Sequence, residues 1–297
     1  PWFVLFALAS YLYKARIFAD SGFYVSQFIN NETFWIECQR IVLAISQIIP
    51  LIAVWTGLQI KYVLLLYSLS HVLFFYFLFL FVYYGLRDRR SGLLIILFQT
   101  VGIIHSFYTP MFELYYGAPL LITFYAIWRL PFRFNVIFIL LILEVLILLS
   151  HPLAFMLFVY LLFYDYSKDT AKPLKYYLSV ILVFLGAIAF KYFVMCDYET
   201  GKFAWQFNYT DNTQYLQLIN PAYYKVLGMF MLRYYFEVLA AFILVVVMLV
   251  NRKQWFRLLV VAGTFFTYVF LVNSAYTVSP SRYMEQVMFP FVPIVFI

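Results

Sequence analysis

The sequence predicts an all-α polytopic membrane protein, with about ten to eleven transmembrane helices in a single domain spanning residues 1–297. Three observations lead there. Hydrophobic residues make up 66% of the chain and charged residues 11%, with a mean hydropathy of +0.91, outside the range of soluble globular domains. Apolar runs recur at lengths near the roughly 20 residues that a helix needs to cross hydrocarbon. The polar segments between them alternate in charge. One set is basic: Arg87/Arg89/Arg90, Arg129/Arg133, Lys168/Lys172/Lys175 and Arg252/Lys253/Arg257. The other holds Glu113, Asp197/Glu199, Asp211 and Glu285. Such alternation orients a membrane protein, with the basic loops inside. The net charge of +7 sits between apolar runs and forms no basic groove interleaved with aromatics, so no nucleic acid partner is expected.

The chain starts at Pro1 inside an apolar run, Trp2–Tyr13, and ends inside another, Phe289–Ile297. The expectation is a fragment truncated at both ends. The first run lacks a basic n-region and a small-residue cleavage site, so a signal peptide is not expected. Residues 17–40 follow as a polar segment. Next come two apolar runs, Ile41–Leu58, which carries Gln47 and Pro50, and Tyr62–Tyr84. If both cross, residues 17–40 share a side with Arg87–Arg90; if one does not, they lie opposite. Lys14, Arg16 and Arg40 argue for the inner side, and charge counting leaves the two alternatives open.

From residue 85 the parity is simpler. Gly92–Ile104 run outward, 105–117 form an outer loop, and Ala118–Trp128 return. Phe134–Phe163 is an apolar run that would reach roughly 45 Å as one helix, too long for one crossing. Ser150-His151-Pro152 lies at its middle, where proline breaks the hydrogen-bond ladder, so a helical hairpin is predicted. Tyr176–Val194 run out to the long loop 195–225, Tyr234–Val250 return, and Leu258–Val272 lead to the last outer loop, 273–286. In this arrangement the basic loops hold eleven Lys and Arg, against Lys191, Lys202, Lys225 and Arg282 at outer positions. Cys38 and Cys196 are expected as two unpaired thiols, with a disulfide as the alternative if both face an oxidising compartment.

Few polar residues interrupt the apolar runs. Glu144 precedes His151 by two helical turns and shares its face, most simply as a structural pair within the bundle. Arg233 and Glu237 are spaced to neutralise one another on a helix, and His71 fits a satisfied bundle histidine. Most of the 28 Tyr and 36 Phe suit lipid-facing and interfacial positions.

Two short stretches carry a family resemblance. Asp20-Ser21-Gly22-Phe23-Tyr24, followed by Gln47-Ile48-Ile49-Pro50-Leu51 and Gly57, is similar to the first outer loop and next apolar segment of GT-C glycosyltransferases. Ser281-Arg282-Tyr283-Met284-Glu285-Gln286-Val287-Met288-Phe289-Pro290 resembles the late Arg-Tyr…Pro stretch of the O-mannosyltransferase and aminoarabinose-transferase branches. The family's His/Glu-Pro-Pro is reduced here to a single Pro50.

The resemblance implies a multi-pass enzyme of the bacterial inner (plasma) membrane, serving the cell envelope. It would move a sugar from a polyprenyl-phosphate donor to a glycan, lipid or protein acceptor at the extracytoplasmic face. Such transfer needs a carboxylate to take or orient the acceptor proton and a cation to meet the phosphate leaving group. The implied catalytic carboxylates are Asp20 and, by position, Glu113. Arg282, Tyr283 and Arg40 would bind the donor phosphate; His105, Tyr115, Tyr116, His151 and Glu285 would face acceptor and sugar. Asp20 and Glu113 could share a hard divalent cation, Mg or Mn. The alternatives are a transporter or lipid-linked saccharide flippase, a surface-polysaccharide polymerase or ligase, and a non-enzymatic scaffold.

Overall fold

The computed structural model describes residues 1–18, 20–100, 107, 108, 110, 113–131, 133–167, 172–201 and 221–275. All regular structure among them is helical: α1 (Trp2–Tyr11), α2 (Asp20–Asn31), α3 (Val42–Trp55), α4 (Ile60–Leu80, continued by a π-wound turn Phe81–Gly85), α5 (Arg89–Phe98), α6 (Glu113–Trp128), α7 (Phe134–Leu148), α8 (Pro152–Tyr166), α9 (Leu174–Phe193), α10 (Pro221–Tyr234), α11 (Phe236–Asn251) and α12 (Trp255–Ala275).

Two of these, Ile60–Gly85 with 26 residues and Leu174–Phe193 with 20, are long and apolar enough to cross a membrane. Tyr224–Arg233 and Phe236–Asn251 pass the same test only as one span bent by 105°. The break falls between Arg233 and Glu237, which removes the continuous helix their expected pairing required. Trp2–Tyr11, Val42–Trp55, Phe134–Leu148, Ala154–Tyr166 and Trp255–Thr267 are apolar but shorter. The helical class therefore stands, while about ten to eleven full spans are not what the helix lengths give. The cause is local. Residues 17–40 contain α2 rather than being all loop, and α3 is only 14 residues, roughly 21 Å. The long run after Phe134 folds as the expected hairpin, with its break at Leu149–His151.

α6 is the buried axis. Tyr115, Tyr116, Ala118, Leu120, Leu121, Ile122, Thr123, Phe124, Ala126, Ile127 and Trp128 are all buried, so the helix is apolar all round, as a central helix must be. The α7–α8 hairpin sits against it. A Cβ on Gly117 would stand 2.9 Å from Ser150 Oγ, so glycine lets the hairpin tip approach the start of α6. A Cβ on Gly92 would meet Tyr83 Cβ at 2.7 Å, which fixes α5 close against the end of α4.

α1 runs antiparallel to α4: Trp2 packs on Tyr76 and Phe79, and Ser68 Oγ donates to Ala9 O at 2.8 Å. α3 turns back along the first half of α4 through Gly57, whose φ is +69°, and Ser70 Oγ donates to Ser46 O at 2.6 Å. Val25, Phe28, Leu51, Ala53, Val63 and Tyr67 form a separate small cluster between α2, α3 and the start of α4.

Among the described residues, the basic loops and the acids Glu113 and Glu199 lie at opposite ends of the bundle. At one end Arg129 pairs with Asp88, which itself caps α5 by accepting from Ser91 N. Lys172 Nζ donates to Leu130 O at 3.2 Å, and Arg257 donates to Ser167 Oγ and O, both at 3.2 Å. These bonds join the four basic loops in sequence. Just inside them, Asp165 on α8 accepts from Tyr125 (3.0 Å) and Trp128 (2.8 Å) on α6 and from Tyr177 (2.5 Å) on α9. Asp165→Ala leaves two buried donors and one half-buried donor without their acceptor and should lower stability by about 3 kcal/mol or more. Thermal melting of the purified variant against wild type measures it, and an unchanged melting temperature contradicts this role.

Candidate functional site

At the other end the chain makes a compact array of ions around a disulfide. Cys38 and Cys196, 158 residues apart, are bonded, which corrects the expectation of two unpaired thiols. Arg40 Nη1 lies 2.5 Å from Glu113 Oε1, and Arg40 Nη2 lies 3.3 Å from Glu199 Oε1. Lys191 Nζ reaches Glu199 Oε2 at 2.9 Å and donates to Cys38 O at 2.5 Å. Two cations and two carboxylates thus alternate, with side-chain exposures of only 6–11%.

The local chain explains how they meet. Cys38 (φ 51°) and Gln39 (φ 58°) are both left-handed, a conformation that costs non-glycine residues energy. The disulfide and the Lys191 bond hold that turn, and the turn delivers Arg40 to the first residue of α6. Tyr24 on α2 adds a bond from its hydroxyl to Glu37 at 2.7 Å. Burial works against the Arg40 charge, but Glu113 and then Glu199 outweigh it and hold the guanidinium above its ordinary value. Its Nε is buried without a hydrogen-bond partner among the described residues.

His151, at the hairpin tip, stands in the field of the same cations. Burial, then Arg40 and Lys191, pull its imidazole down to about 3. It lies past the end of α7, so it does not share a helical face with Glu144 as expected. Glu144 is itself fully buried, with neither carboxylate oxygen hydrogen-bonded among the described residues.

Of the residues expected at a site, the structure brings together Arg40, Glu113 and His151. Asp20 is exposed at the start of α2, whereas Glu113 is buried against Arg40, so the two carboxylates occupy different environments. Tyr115 and Tyr116 lie in the core rather than on an open platform: their hydroxyls donate to Phe98 O and Pro110 O, and Tyr116 stacks on His71 at 4.7 Å. His105, Arg282, Tyr283 and Glu285 lie outside the described residues. Sequence reasoning missed Lys191, Glu199 and the two cysteines as members of the array. The available signal was the placing of each lone cysteine beside a charge, in Cys38-Gln39-Arg40 and in Lys191…Cys196…Glu199. Cys38, Cys196 and Glu199 are also close enough to hold a metal ion, but disulfide formation removes both thiolates as ligands. The chain matches no family model, no curated protein and no solved structure.

Glu113→Gln leaves the buried Arg40 with Glu199 alone and should cost about 3 kcal/mol or more. A melting temperature equal to wild type in non-reducing buffer contradicts the pairing.

A pH dependence follows from His151. The unfolded imidazole titrates near about 6.5 and the folded one at about 3. Above the unfolded value both states are neutral. As pH falls through it, the unfolded chain takes up a proton that the folded chain refuses, so stability is lost down to the folded value. The melting temperature should fall less steeply in His151→Gln than in wild type between pH 7 and 4; equal slopes contradict the assignment.

Proposed function

We propose that the chain is the membrane part of a glycosyltransferase that takes a sugar from a polyprenyl-phosphate donor at the extracytoplasmic face. The observation that carries this reading is the ion array: Arg40, Glu113 and Glu199, from three distant segments, converge at the end of the bundle opposite the basic loops. Basic loops are retained on the cytoplasmic side, and disulfides persist in oxidising compartments. Both arguments assign the array to the outer face, and residues 17–40 go with it. On this reading α4 crosses while α3 does not, lying beside the first half of α4 with α2.

The roles follow from charge and chemistry. Arg40 meets the donor phosphate, for which guanidinium is suited by its permanent charge and bidentate geometry. Glu113 takes or orients the acceptor proton, and Asp20 is the second candidate for that task from the same face. The flippase alternative retains one observation in its favour, the unpartnered buried Glu144, since acids within spans mark transport pathways.

The test is transfer of labelled sugar from a polyprenyl-phosphate donor by the full chain in detergent or lipid. Arg40→Ala and Glu113→Gln should each reduce turnover by about 100-fold or more, with the Cys38–Cys196 bond retained on non-reducing gels. Asp20→Asn assigns the base: loss in that variant with activity in Glu113→Gln moves the role to Asp20. Absence of transfer by wild type, with lipid-linked saccharide moved across vesicles, replaces the enzyme by the flippase.

A further inference from the structure

Away from the ion array, a second arginine is buried with no carboxylate partner among the described residues. Arg16, in the turn after α1, is 2% exposed. Its Nε donates to Phe107 O at 2.7 Å, and its Nη1 donates to Ser68 O at 2.6 Å and to Ser68 Oγ at 2.9 Å. The Phe107 ring lies 4.4 Å from the guanidinium carbon. Carbonyl dipoles and a ring face ease the burial but carry no countercharge, and among the described residues no acid pairs with this group. An uncompensated buried cation costs several kcal/mol. Nη2 makes no hydrogen bond among the described residues.

Beside this guanidinium is a cavity of about 10 Å³, lined by Arg16, His71, Gln99 and Tyr115 together with Leu5, Val72, Phe75 and Phe107. His71 and Gln99 are themselves 2% and 4% exposed. Among the described residues, neither ring nitrogen of His71 nor Nε2 of Gln99 has a hydrogen-bond partner. Three elements (the turn after α1, α4 and the end of α5) thus present unused N–H groups to one small space. The remaining wall is apolar, with aromatic rings at its edge.

The charge and the size select the occupant. A water molecule would bond to the donors but leave the Arg16 charge unmatched. A phosphate ester or a sugar is too large for a space that holds about one water-sized body. A single small, weakly hydrated anion satisfies all three constraints. We propose that this cavity is a halide site, in which a chloride-sized anion accepts from Arg16, the Gln99 amide and the His71 ring and neutralises the buried guanidinium. The site is structural: it locks α1 and α5 to the middle of α4. It does not rest on the glycosyltransferase reading.

Binding to the folded state alone raises the melting temperature with ligand concentration. The full chain, purified in sodium gluconate, is titrated with sodium chloride or sodium bromide at constant ionic strength and its melting followed. Wild type should show a saturable rise. Gln99→Leu, which removes one donor while keeping bulk, should need about tenfold more halide for the same rise. His71→Phe provides the second arm, should Gln99→Leu not fold. Crystals soaked in bromide should show anomalous scattering within the cavity. Equal melting in halide and gluconate for wild type, an unchanged halide dependence in either variant, or bromide absent from the cavity each overturns the proposal.

Discussion

Four charges and one covalent bond hold together segments that are otherwise far apart in the chain. Arg40 and Lys191 are balanced by Glu113 and Glu199, and the Cys38–Cys196 bond closes the circuit. A buried ion is tolerable only when matched, because removing one partner leaves the other unsolvated in a low-dielectric setting. The array is therefore all-or-none: the turn at 38–40, the start of α6 and the end of α9 must be in place together. The disulfide makes that simultaneous placement affordable in entropy. Closing a loop of this length removes about 5 kcal/mol of unfolded-state freedom in the chain-entropy account. Without it, the left-handed pair Cys38–Gln39 would be held by the Lys191 bond and the local backbone bonds Arg40 N to Glu37 O and Ile41 N to Gln39 O.

The basic end works differently. Its loops are joined by single bonds to carbonyls, hydroxyls and Asp88, and its buried element is Asp165, which collects three neutral donors from α6 and α9. A carboxylate surrounded by hydroxyl and indole groups needs no cation if those donors are fixed. One end of the bundle is thus knit by a buried ion array and a covalent bond, the other by the Arg129–Asp88 pair and by neutral donors gathered on Asp165. The apolar α6 runs between them, its two ends being the sites where the knitting happens: Glu113 at one and Tyr125 and Trp128 at the other.

Much of this organisation could be read from the order of residues. Among the described residues, the basic loops and the acids Glu113 and Glu199 lie at opposite ends, as their alternation suggests, since charge bias acts on whole segments and needs no atomic detail. The break at Ser150-His151-Pro152 was legible because proline acts locally. What was not legible depended on tertiary placement. Tyr115 and Tyr116 lie beside an acid in a polar segment, as sugar platforms would, yet α6 begins at Glu113 and carries both into the core. The shortness of α3 was partly legible, since Gln47 and Pro50 mark Ile41–Leu58 as the softer of the two runs, but what the run packs on was not. The cysteine pairing was missed because a separation of 158 residues says nothing about distance once the chain is folded.

Arg16 and Arg40 show two solutions to the same electrostatic problem, and the difference bears on the proposed chemistry. Arg40 already has its anions, so a donor phosphate cannot simply add to it. It must take the place of Glu113 or Glu199, at a cost offset by the bidentate contact it gains. In the proposed reaction that exchange has a consequence: a carboxylate released from the guanidinium loses the partner that stabilised its charge and becomes the stronger base. Phosphate binding would then arm Glu113 in the same step, coupling donor occupancy to acceptor activation. Lys191, held to Cys38 O and Glu199, would keep Glu199 from following. Arg16 offers no such exchange, since carbonyl oxygens and a ring face cannot be released as bases. Its open N–H groups suit a permanent small anion, so under the two proposals Arg40 would serve turnover and Arg16 structure.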